Sequence, residues 1–372
     1  MPPSSDRERS EQLVEWKAPG DAVYSARFRH CERIKSRWKH EVERDWEREF
    51  PVAFAINVNE DLYHLDNALG AIYRLHNFYC LHVDSKSAAA FREAIEKLVG
   101  CFSNILLPER SYDVSSSGRN TPLAYLSCIE TLLKHQWRYL VTLQGHDFPL
   151  KTNAQLVAIL TLLNGTNDVE LRENSPYKGS VATTLSREFV EFLMDKRSVA
   201  AATGWTVREY ANWTSQAGFG GDELFWSTLN HDERLAAPGG YPGRCLREDK
   251  KLFKSWITRF AIWLGDKHLR CRGHFRNSVC LLSHLDLPQL SRRHELFANK
   301  FMPQMGGGGW LGLHCAHRRL RQLEKLPDGG RSLVDKPFYE SLSSVRYGRW
   351  LQKNDSEKQF PCAWFQPAVA LH

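Results

Sequence analysis

The chain has 372 residues, of which 42% are hydrophobic and 12% are aromatic, and its formal net charge at pH 7 is +7. This length suffices for one large or two moderate domains with a substantial core, and the composition excludes a disordered or fibrous chain. The positive charge suits an acidic partner such as a nucleotide phosphate, an anionic glycan or a membrane surface. Because Lys and Arg are scattered along the sequence, a nucleic-acid partner is not expected.

The first part of the chain predicts a charged lead-in followed by alternating strands and helices. Residues 1–50 are strongly charged, and ERIKSRWKHEVERDWEREF predicts a solvated helix in a stem segment. The globular part is expected to begin at Pro51 with the strand PVAFAINV. A helix at 61–75, the strand FYCLHVDS, a helix at 88–98, the strand SNILLP and a helix at 120–134 follow. This alternation predicts an α/β fold whose mostly parallel sheet has helices on both faces.

The next stretch, WRYLVTLQGHDFPLKT (137–152), predicts a buried strand that stops abruptly. Gly145 permits a tight turn there, and Pro149 prevents the strand from continuing. His146 and Asp147 therefore follow the carboxyl end of the strand. In the simpler alternative, Asp147 only caps the helix that begins near residue 152.

Polar residues also follow the first two predicted strands. Asn59 comes after the first strand and Asp84 after the second, as His146 and Asp147 do after the later one. The carboxyl ends of parallel strands lie along one edge of a sheet, where ligands bind in open α/β folds. A shared cleft at this edge is therefore expected.

Four segments in the second half of the sequence predict further structural elements. GSVATTLS (179–186) predicts a strand, SREFVEFLMDK a helix capped by Ser186, and GFGGDELFWSTL a glycine-rich loop that leads into a helix. The glycine run at 306–309 predicts a flexible loop. A basic cluster precedes it: Arg270, Arg272, Arg276, Arg292 and Arg293. There is no G-x-G-x-x-G and no P-loop motif, so neither a dehydrogenase-type dinucleotide fold nor a P-loop fold is supported.

The nine cysteines include no CxxC pair and no His at zinc-binding spacing, so no metal cage is expected. Disulfides are the preferred interpretation, and they imply an oxidising, secretory compartment. Sequons at Asn164, Asn212 and Asn354 give mild support. However, no apolar run approaches the roughly 20 residues of a membrane span, and the N-terminus has no signal-peptide pattern. Either an N-terminal anchor is missing from this sequence, or the cysteines are reduced and the protein is cytosolic.

Six segments, in their order and approximate spacing, resemble the core-2/I-branching β-1,6-N-acetylglucosaminyltransferases, a family that also includes the protein xylosyltransferases. They are HNFYCLHVDSK, WRYLVTLQGHDFPLKTN, GSVATTLSREFV, GGDELFWSTL, RNSVC and HELFANKF. The resemblance covers residues 51–320 and implies a single glycosyltransferase-A-type catalytic domain over 51–345, after a stem over 1–50 and before a tail over 346–372. It also implies a type II Golgi membrane protein with a lumenal catalytic domain, which favours the missing anchor.

The activity that the resemblance implies is an inverting transfer of N-acetylglucosamine from UDP-GlcNAc to a hydroxyl of an O-glycan, expected to be the 6-hydroxyl. No metal ion or other cofactor is expected. One alternative is a xylosyltransferase or another UDP-sugar transferase of the same family, and a second is a catalytically silent member that binds glycans or a partner. Vertebrate branching enzymes carry a longer charged loop where this chain has only NGTNDVELRENSPYK, so the identity of the acceptor does not transfer.

The resemblance assigns the chemistry to a carboxylate and two cations. Glu223 matches the base of the family, with Asp222 beside it on the acceptor side; the alternative is that both only complement a helix dipole. Lys300 in FANKF matches one cation that meets the charge of the departing diphosphate. Arg276 is the second candidate, one residue out of register, with Asn277 at the aligned position and a shifted turn able to restore it.

The remaining assignments concern binding. By the same resemblance, Asp84 and Asn59 are expected to face the uridine, and His146 and Asp147 to line the donor cleft, with Asp147 contacting the sugar or ordering the loop. Trp263 matches a tryptophan that stacks on the acceptor sugar, although a lone tryptophan is more often a core residue.

The cysteine pairing that the resemblance implies has three bridges. They are Cys31 with Cys101, Cys80 with Cys128, and Cys271 with Cys280. Cys315 matches a cysteine whose usual stem partner is absent, so Cys362 or Cys245 is expected to substitute.

Overall fold

The computed structural model describes residues 16–39, 43–172, 177–218, 220–248, 256–306, 308–353 and 362. Five strands form the central sheet in the order β3-β2-β1-β4-β6. They are β1 (Val52–Val58), β2 (Phe78–Val83), β3 (Ile105–Leu106), β4 (Tyr139–Gln144) and β6 (Thr184–Ser186). Only β6 runs antiparallel to its neighbour. The prediction of an α/β fold with a mostly parallel sheet is confirmed, although β3 and β6 are shorter than the sequence pattern suggested.

The helices around the sheet follow the predicted alternation. Those that precede residue 170 are α1 (Asp21–Tyr24), α2 (Cys31–Trp38), α3 (Asp45–Arg48), α4 (Leu62–Ile72), α5 (Ala89–Cys101), α6 (Thr121–Leu132) and α7 (Asn153–Leu163). The later ones are α8 (Arg187–Met194), α9 (Ser198–Thr203), α10 (Val207–Gln216), α11 (Asp222–His231), α12 (Gly243–Glu248), α13 (Leu287–Leu290), α14 (Gly309–Glu324), α15 (Lys336–Ser341) and α16 (Ser343–Lys353). Within the described ranges, none of these helices combines the length and the apolar character that a membrane crossing needs.

Both faces of the central sheet are buried. Side chains of β1 alternate between two apolar clusters: Val52, Phe54 and Ile56 pack with α4, α5 and α7, whereas Ala53 and Ala55 pack with α6, α8 and α11. A strand buried on both sides has no solvent face, which is why its sequence is a continuous apolar run rather than an alternating one. The sheet is thus held rigid, with its carboxyl edge free to carry polar residues.

The charged lead-in packs against the core through a few apolar side chains, which corrects the prediction that residues 32–50 form a solvated helix rather than a core element. Tyr24, Phe28, Ile34 and Trp38 are almost fully buried and belong to the core cluster beside α4 and α5. Burial of each such side chain contributes about 1.5–3 kcal/mol relative to leaving it exposed. The indole of Trp38 and the hydroxyl of Tyr24 also donate hydrogen bonds to Asp66 of α4. The apolar positions of this segment were too widely spaced among charges to stand out in the sequence.

A second, three-stranded sheet lies next to the first and carries the later part of the site. Its strand order is β5 (Phe148–Pro149), β10 (Phe297–Asn299) and β7 (Arg259–Ala261). Strands β8 (His274–Arg276) and β9 (Val279–Leu281) form a separate hairpin. The predicted loop at the glycine run is shorter than expected, because α14 already begins at Gly309.

The disulfides confirm the three predicted pairs and add a fourth. The bridges are Cys31–Cys101, Cys80–Cys128, Cys271–Cys280 and Cys245–Cys362. The expectation that Cys315 pairs with Cys245 or Cys362 was wrong, since these two cysteines bond to each other and Cys315 is a free, half-buried thiol.

This pairing predicts the result of peptide mapping. In protein produced through a secretory pathway, non-reducing digestion is expected to yield peptides that join Cys245 to Cys362, and alkylation without reduction is expected to label Cys315 alone. A peptide that links Cys315 to another cysteine, or label on Cys245, would show that the C-terminal segment is attached differently.

Candidate active site

A polar cleft of about 320 Å³ opens at the carboxyl edge of the central sheet. Five of the six residues that were predicted to bind the donor lie on its wall: Asn59, Asp84, His146, Arg276 and Lys300. They come from the ends of β1, β2, β4, β8 and β10, so segments as far apart in sequence as residues 59 and 300 converge here. The shared cleft that the strand ends predicted is therefore present.

The floor of the cleft is a row of polar side chains to which the sequence analysis assigned no role. Asn57 is in register with His82 on one side and with Gln144 on the other, and all three line the cleft. The Nε2 atom of His82 accepts a hydrogen bond from the backbone N–H of Tyr112 at 2.9 Å, which fixes the loop 111–119 above the floor. Asn57 and His82 are one place before the end of their strands, and Gln144 is the last residue of its strand. The signal in the sequence was therefore their equivalent position at the strand ends.

Asp84 also holds this loop. Its Oδ1 accepts a hydrogen bond from the backbone N–H of Lys86 at 2.8 Å, and its Oδ2 accepts one from Val114 at 3.1 Å. The loop carries Ser115 and Ser116, which form part of the cleft wall. Asp84 therefore shapes the wall as well as contributing a carboxylate to it.

Lys300 and Arg276 give the cleft its positive charge. Lys300 directly follows β10, and Arg276 precedes a two-residue hairpin turn at Asn277 and Ser278, whose φ angles of 47° and 64° are both positive. This turn brings Arg276 to the cleft although it is one residue out of register with the family. Burial lowers the pKa of Lys300, and the charge of Arg276 lowers it further. The two cations repel each other, so a bound anion between them would be favoured.

Asp147 lies beneath the cleft rather than on its lining. Its Oδ2 accepts a hydrogen bond from the backbone of Gln144 at 2.7 Å, and its Oδ1 accepts one from Asn299 at 2.8 Å. The guanidinium of Arg259 is 3.8 Å away. These contacts tie the end of β4 to the end of β10. The helix-cap alternative for Asp147 was wrong, because Thr152 caps α7 in a capping box.

His146 is a neutral side chain in this site. Burial lowers the pKa of His146 to about 3, and the charges of Lys300 and Arg276 act in the same direction. The Nε2 atom is buried and has no hydrogen-bond partner among the described residues. A buried ring nitrogen without a hydrogen-bond partner costs stability unless water or a ligand reaches it. His146 is therefore well placed to form a hydrogen bond with a bound ligand.

The burial of His146 predicts a pH dependence of stability. Its pKa is lower in the folded state than the value near 6.5 of an unfolded chain, so its contribution is fully present above pH 6.5 and is lost on acidification. Between pH 7 and pH 5 the loss is about 2 kcal/mol. Buried Asp61, whose pKa is raised to about 7 by burial, titrates in the opposite sense.

For this reason the measurement is a comparison of variants. Urea unfolding at pH 7 and pH 5 is expected to lose about 2 kcal/mol less in His146→Gln than in the wild type. His268→Gln, which replaces an exposed histidine, serves as the control and is expected to follow the wild type. Identical pH dependence in all three proteins would show that His146 is not held neutral.

Glu223 lies in the first turn of α11, beside the loop that walls the cleft and not on the cleft lining itself. Its carboxylate is 3.1 Å from the ammonium of Lys178 and 3.6 Å from the guanidinium of Arg172, and the side chain is 24% exposed. The backbone N–H of Gly220 donates to the carbonyl of Ser117 at 2.9 Å, which joins the two loops. Lys178 and Arg172 both lie in the segment NGTNDVELRENSPYK, but the sequence analysis assigned neither of them a role.

Asp222 is packed against the same loop. A Cβ at Gly118, where φ is 98°, would be 2.0 Å from its Oδ1, so only glycine allows this approach. Burial, followed by the neighbouring charge of Glu223, raises the pKa of Asp222 to about 6. Asp222 is buried and Glu223 is partly exposed, so Glu223 is the more accessible of the two carboxylates.

Trp263 is 42% exposed, which is unusual for a tryptophan that serves only the core. It forms an isolated bridge with Val279, next to the hairpin whose turn lines the cleft. The sequon residues Asn164 and Asn212 are also exposed, whereas Asn354 lies outside the described residues.

Comparisons with known proteins indicate that the chain is a glycosyltransferase. Residues 52–178 match the family model described as Core-2/I-Branching enzyme, which confirms the resemblance over these residues. The chain is 29% identical over 298 residues to the human beta-1,3-galactosyl-O-glycosyl-glycoprotein beta-1,6-N-acetylglucosaminyltransferase, covering 68% of this chain and 67% of the relative. Similar enzymes of Bos taurus and of bovine herpesvirus 4 (strain LVR140) are 27% and 28% identical over 346 residues, covering 81% of this chain and 75% of each relative. This class implies a sugar donor and a glycan or glycoprotein acceptor.

Proposed function

We propose that the protein transfers N-acetylglucosamine from UDP-GlcNAc to the 6-hydroxyl of a β-1,3-galactosyl O-glycan, with inversion and without a metal ion. The observation that carries the proposal is the position of Lys300 and Arg276 together on one polar cleft, with Glu223 in the first turn of α11 beside the loop that walls this cleft. The names of the relatives supply the sugar and the linkage. The cleft supports a donor with a diphosphate, since two cations face it and neither has a carboxylate within ion-pairing distance among the described residues.

In the proposed reaction, the carboxylate of Glu223 takes the proton of the acceptor hydroxyl. The oxygen then forms a bond to the anomeric carbon from the face opposite the diphosphate, and the bond from that carbon to the phosphate oxygen breaks. Lys178 and Arg172 hold the carboxylate in place before the acceptor arrives, because each is within 4 Å of it. Such positioning reduces the entropy lost when the reactants come together.

The departing UDP carries the electron pair of the broken bond. Lys300 and Arg276 would stabilise this charge at the moment that it develops, because both lie on the wall of the cleft. Asp84 and Asn59 are proposed to contact the uridine, and His146 the donor between the uridine and the sugar. Asp147 keeps the strand ends in register and so fixes the spacing of these groups.

Metal independence is part of the proposal. Two residues after Asp84, where a metal-binding Asp-x-Asp motif has its second carboxylate, this chain has Lys86, and its ammonium is 3.4 Å from the Asp84 carboxylate. A divalent cation at Asp84 would therefore meet a positive charge. Transfer is expected to survive chelation by EDTA. Loss of nearly all activity, with recovery on addition of manganese, would contradict the role of the two cations.

We also propose a location in the Golgi lumen. Four disulfides among nine cysteines support it, because such bonds persist in oxidising compartments and are rare in the cytosol.

The test of the proposed function is a donor comparison. Purified protein is incubated with a Galβ1,3GalNAc acceptor and with UDP-GlcNAc, UDP-xylose or UDP-GalNAc, and UDP release and the product linkage are measured. UDP-GlcNAc is expected to be the preferred donor and the product to be β-1,6-linked. Preference for UDP-xylose would identify the xylosyltransferase alternative, and no transfer from any donor would identify a silent member of the family.

A further inference from the structure

The segment 263–278, WLGDKHLRCRGHFRNS, is called the flap below. It leads from β7 through the β8 strand to the hairpin turn, and the disulfide Cys271–Cys280 ties it to β9. Nearly all of its side chains are exposed. It contains most of the basic cluster seen in the sequence, and the proposed transfer reaction uses only Arg276.

The flap has four basic side chains and a single carboxylate. The basic residues are Lys267, Arg270, Arg272 and Arg276. The carboxylate, Asp266, accepts a hydrogen bond from the backbone of Trp263 at 3.1 Å. Within the described ranges, the side chains of Lys267, Arg270 and Arg272 make neither an ion pair nor a hydrogen bond. Their charges are therefore unbalanced at this surface.

The backbone that carries these charges is nevertheless held in place. The carbonyl of Arg270 accepts a hydrogen bond from Gln289 at 3.1 Å, and the N–H of Arg272 donates to the buried Asp286 at 3.0 Å. Together with the disulfide, these bonds fix the backbone positions of Arg270 and Arg272, from which the two guanidinium groups extend. A run of solvated charges without a role would not need this anchoring. A binding surface gains affinity from it, because an anchored backbone loses less conformational entropy on binding.

We infer that the flap binds an acidic substituent, a sulfate or a carboxylate, on the acceptor glycan. This inference rests on the proposed function and names the acceptor class of the same site. Guanidinium groups bind sulfate and carboxylate with paired hydrogen bonds, and the exposed rings of Trp263 and Phe275, 42% and 41% accessible, suit the apolar faces of sugars.

The position of the flap favours a glycan over an anionic membrane surface. Arg276 and Asn277 at its end line the donor cleft, so a group bound to the flap is close to the transferred sugar. A membrane that lay against the flap would cover the mouth of the cleft, whereas an acceptor must approach that mouth in order to react.

The test uses the full chain with two probes, Galβ1,3GalNAc and the same disaccharide with a sulfate on galactose, titrated by calorimetry in the presence of UDP. The sulfated probe is expected to bind about tenfold more tightly at low salt. The difference is expected to shrink at about 1 M salt, where charges are screened within about 3 Å. In Arg270→Gln/Arg272→Gln the preference is expected to disappear, with binding of the neutral probe unchanged.

The matched control is Arg33→Gln/Lys97→Gln, which removes the same charge from exposed positions on α2 and α5 that do not line the cleft. It is expected to keep the preference. Equal binding of the two probes by the wild type, or loss of preference in the control as well, would overturn the inference. So would binding of phosphatidylserine vesicles that depends on Arg270 and Arg272 without any preference for the sulfated probe. Because these are binding measurements, they stay informative if no GlcNAc transfer is found, which would count against the proposed function instead.

Discussion

Replacement of Glu223 by Gln is expected to lower turnover by about 10²- to 10⁴-fold, the usual contribution of a positioned general base. The amide keeps the size of the side chain and can still accept a hydrogen bond, but it cannot take the acceptor proton. The substitution also weakens the contacts with Lys178 and Arg172, because these contacts lose their ionic character. Initial rates at saturating donor and acceptor give the measurement.

The control for this variant is Glu96→Gln. Glu96 is exposed on α5 and does not line the donor cleft, so the change removes the same charge without touching the site. The control is expected to keep wild-type turnover. If Glu223→Gln also keeps more than about a tenth of wild-type turnover in folded protein, another group must act as the base.

Replacement of Lys300 by Ala is expected to act on the nucleotide. It removes a cation from the cleft wall, so the binding of UDP should weaken by roughly 1.5–3 kcal/mol, the range for hydrogen bonds to charged groups. Turnover should fall as well, because the charge of the leaving group is then met only by Arg276. Isothermal titration with UDP measures the first effect, and rates at saturating donor measure the second.

The matched control is Lys97→Ala, at an exposed position on α5 away from the cleft. It is expected to bind UDP as the wild type does. Thermal unfolding of both variants shows whether weaker UDP binding results from the lost contact or from a less stable fold. Unchanged UDP binding in Lys300→Ala would remove Lys300 from the donor site.

The sequence predicted the polar cleft well because its residues follow buried strands. An apolar run followed by a polar residue marks the carboxyl end of a parallel strand, and such ends lie together whatever the rest of the fold does. Asn59, Asp84 and His146 were found in this way, and all three line the cleft. Lys300 was found from the resemblance, and its place after β10 follows the same geometry.

The parts that sequence reasoning missed depend on contacts between distant segments. Lys178 and Arg172 reach Glu223 only because the chain after α7 passes beside the start of α11. Asp147 points below the cleft because Asn299 and Gln144 bind it there, a choice that local sequence does not encode. Side-chain direction at a strand end is decided by the neighbouring loops, and those are set by tertiary packing.

The lead-in shows a different limit. Charge density predicted exposure of residues 32–50, yet Ile34 and Trp38 occupy the core. A short helix needs only one apolar residue per turn to dock against a larger surface, and the charges around it stay in water. Single apolar residues in a charged segment do not form a recognisable hydrophobic periodicity, so the sequence does not reveal that the helix packs against the core.

The central claim is that Glu223 accepts the proton of the acceptor and that Lys300 binds the diphosphate of the donor. Calorimetric titration of Glu223→Gln and Lys300→Ala with UDP tests this claim most directly. Glu223→Gln is expected to bind UDP as the wild type does, because the base faces the acceptor. Lys300→Ala is expected to bind UDP roughly 10- to 150-fold more weakly, the equivalent of 1.5–3 kcal/mol. Loss of UDP binding in folded Glu223→Gln, together with wild-type binding in Lys300→Ala, would contradict both assigned roles.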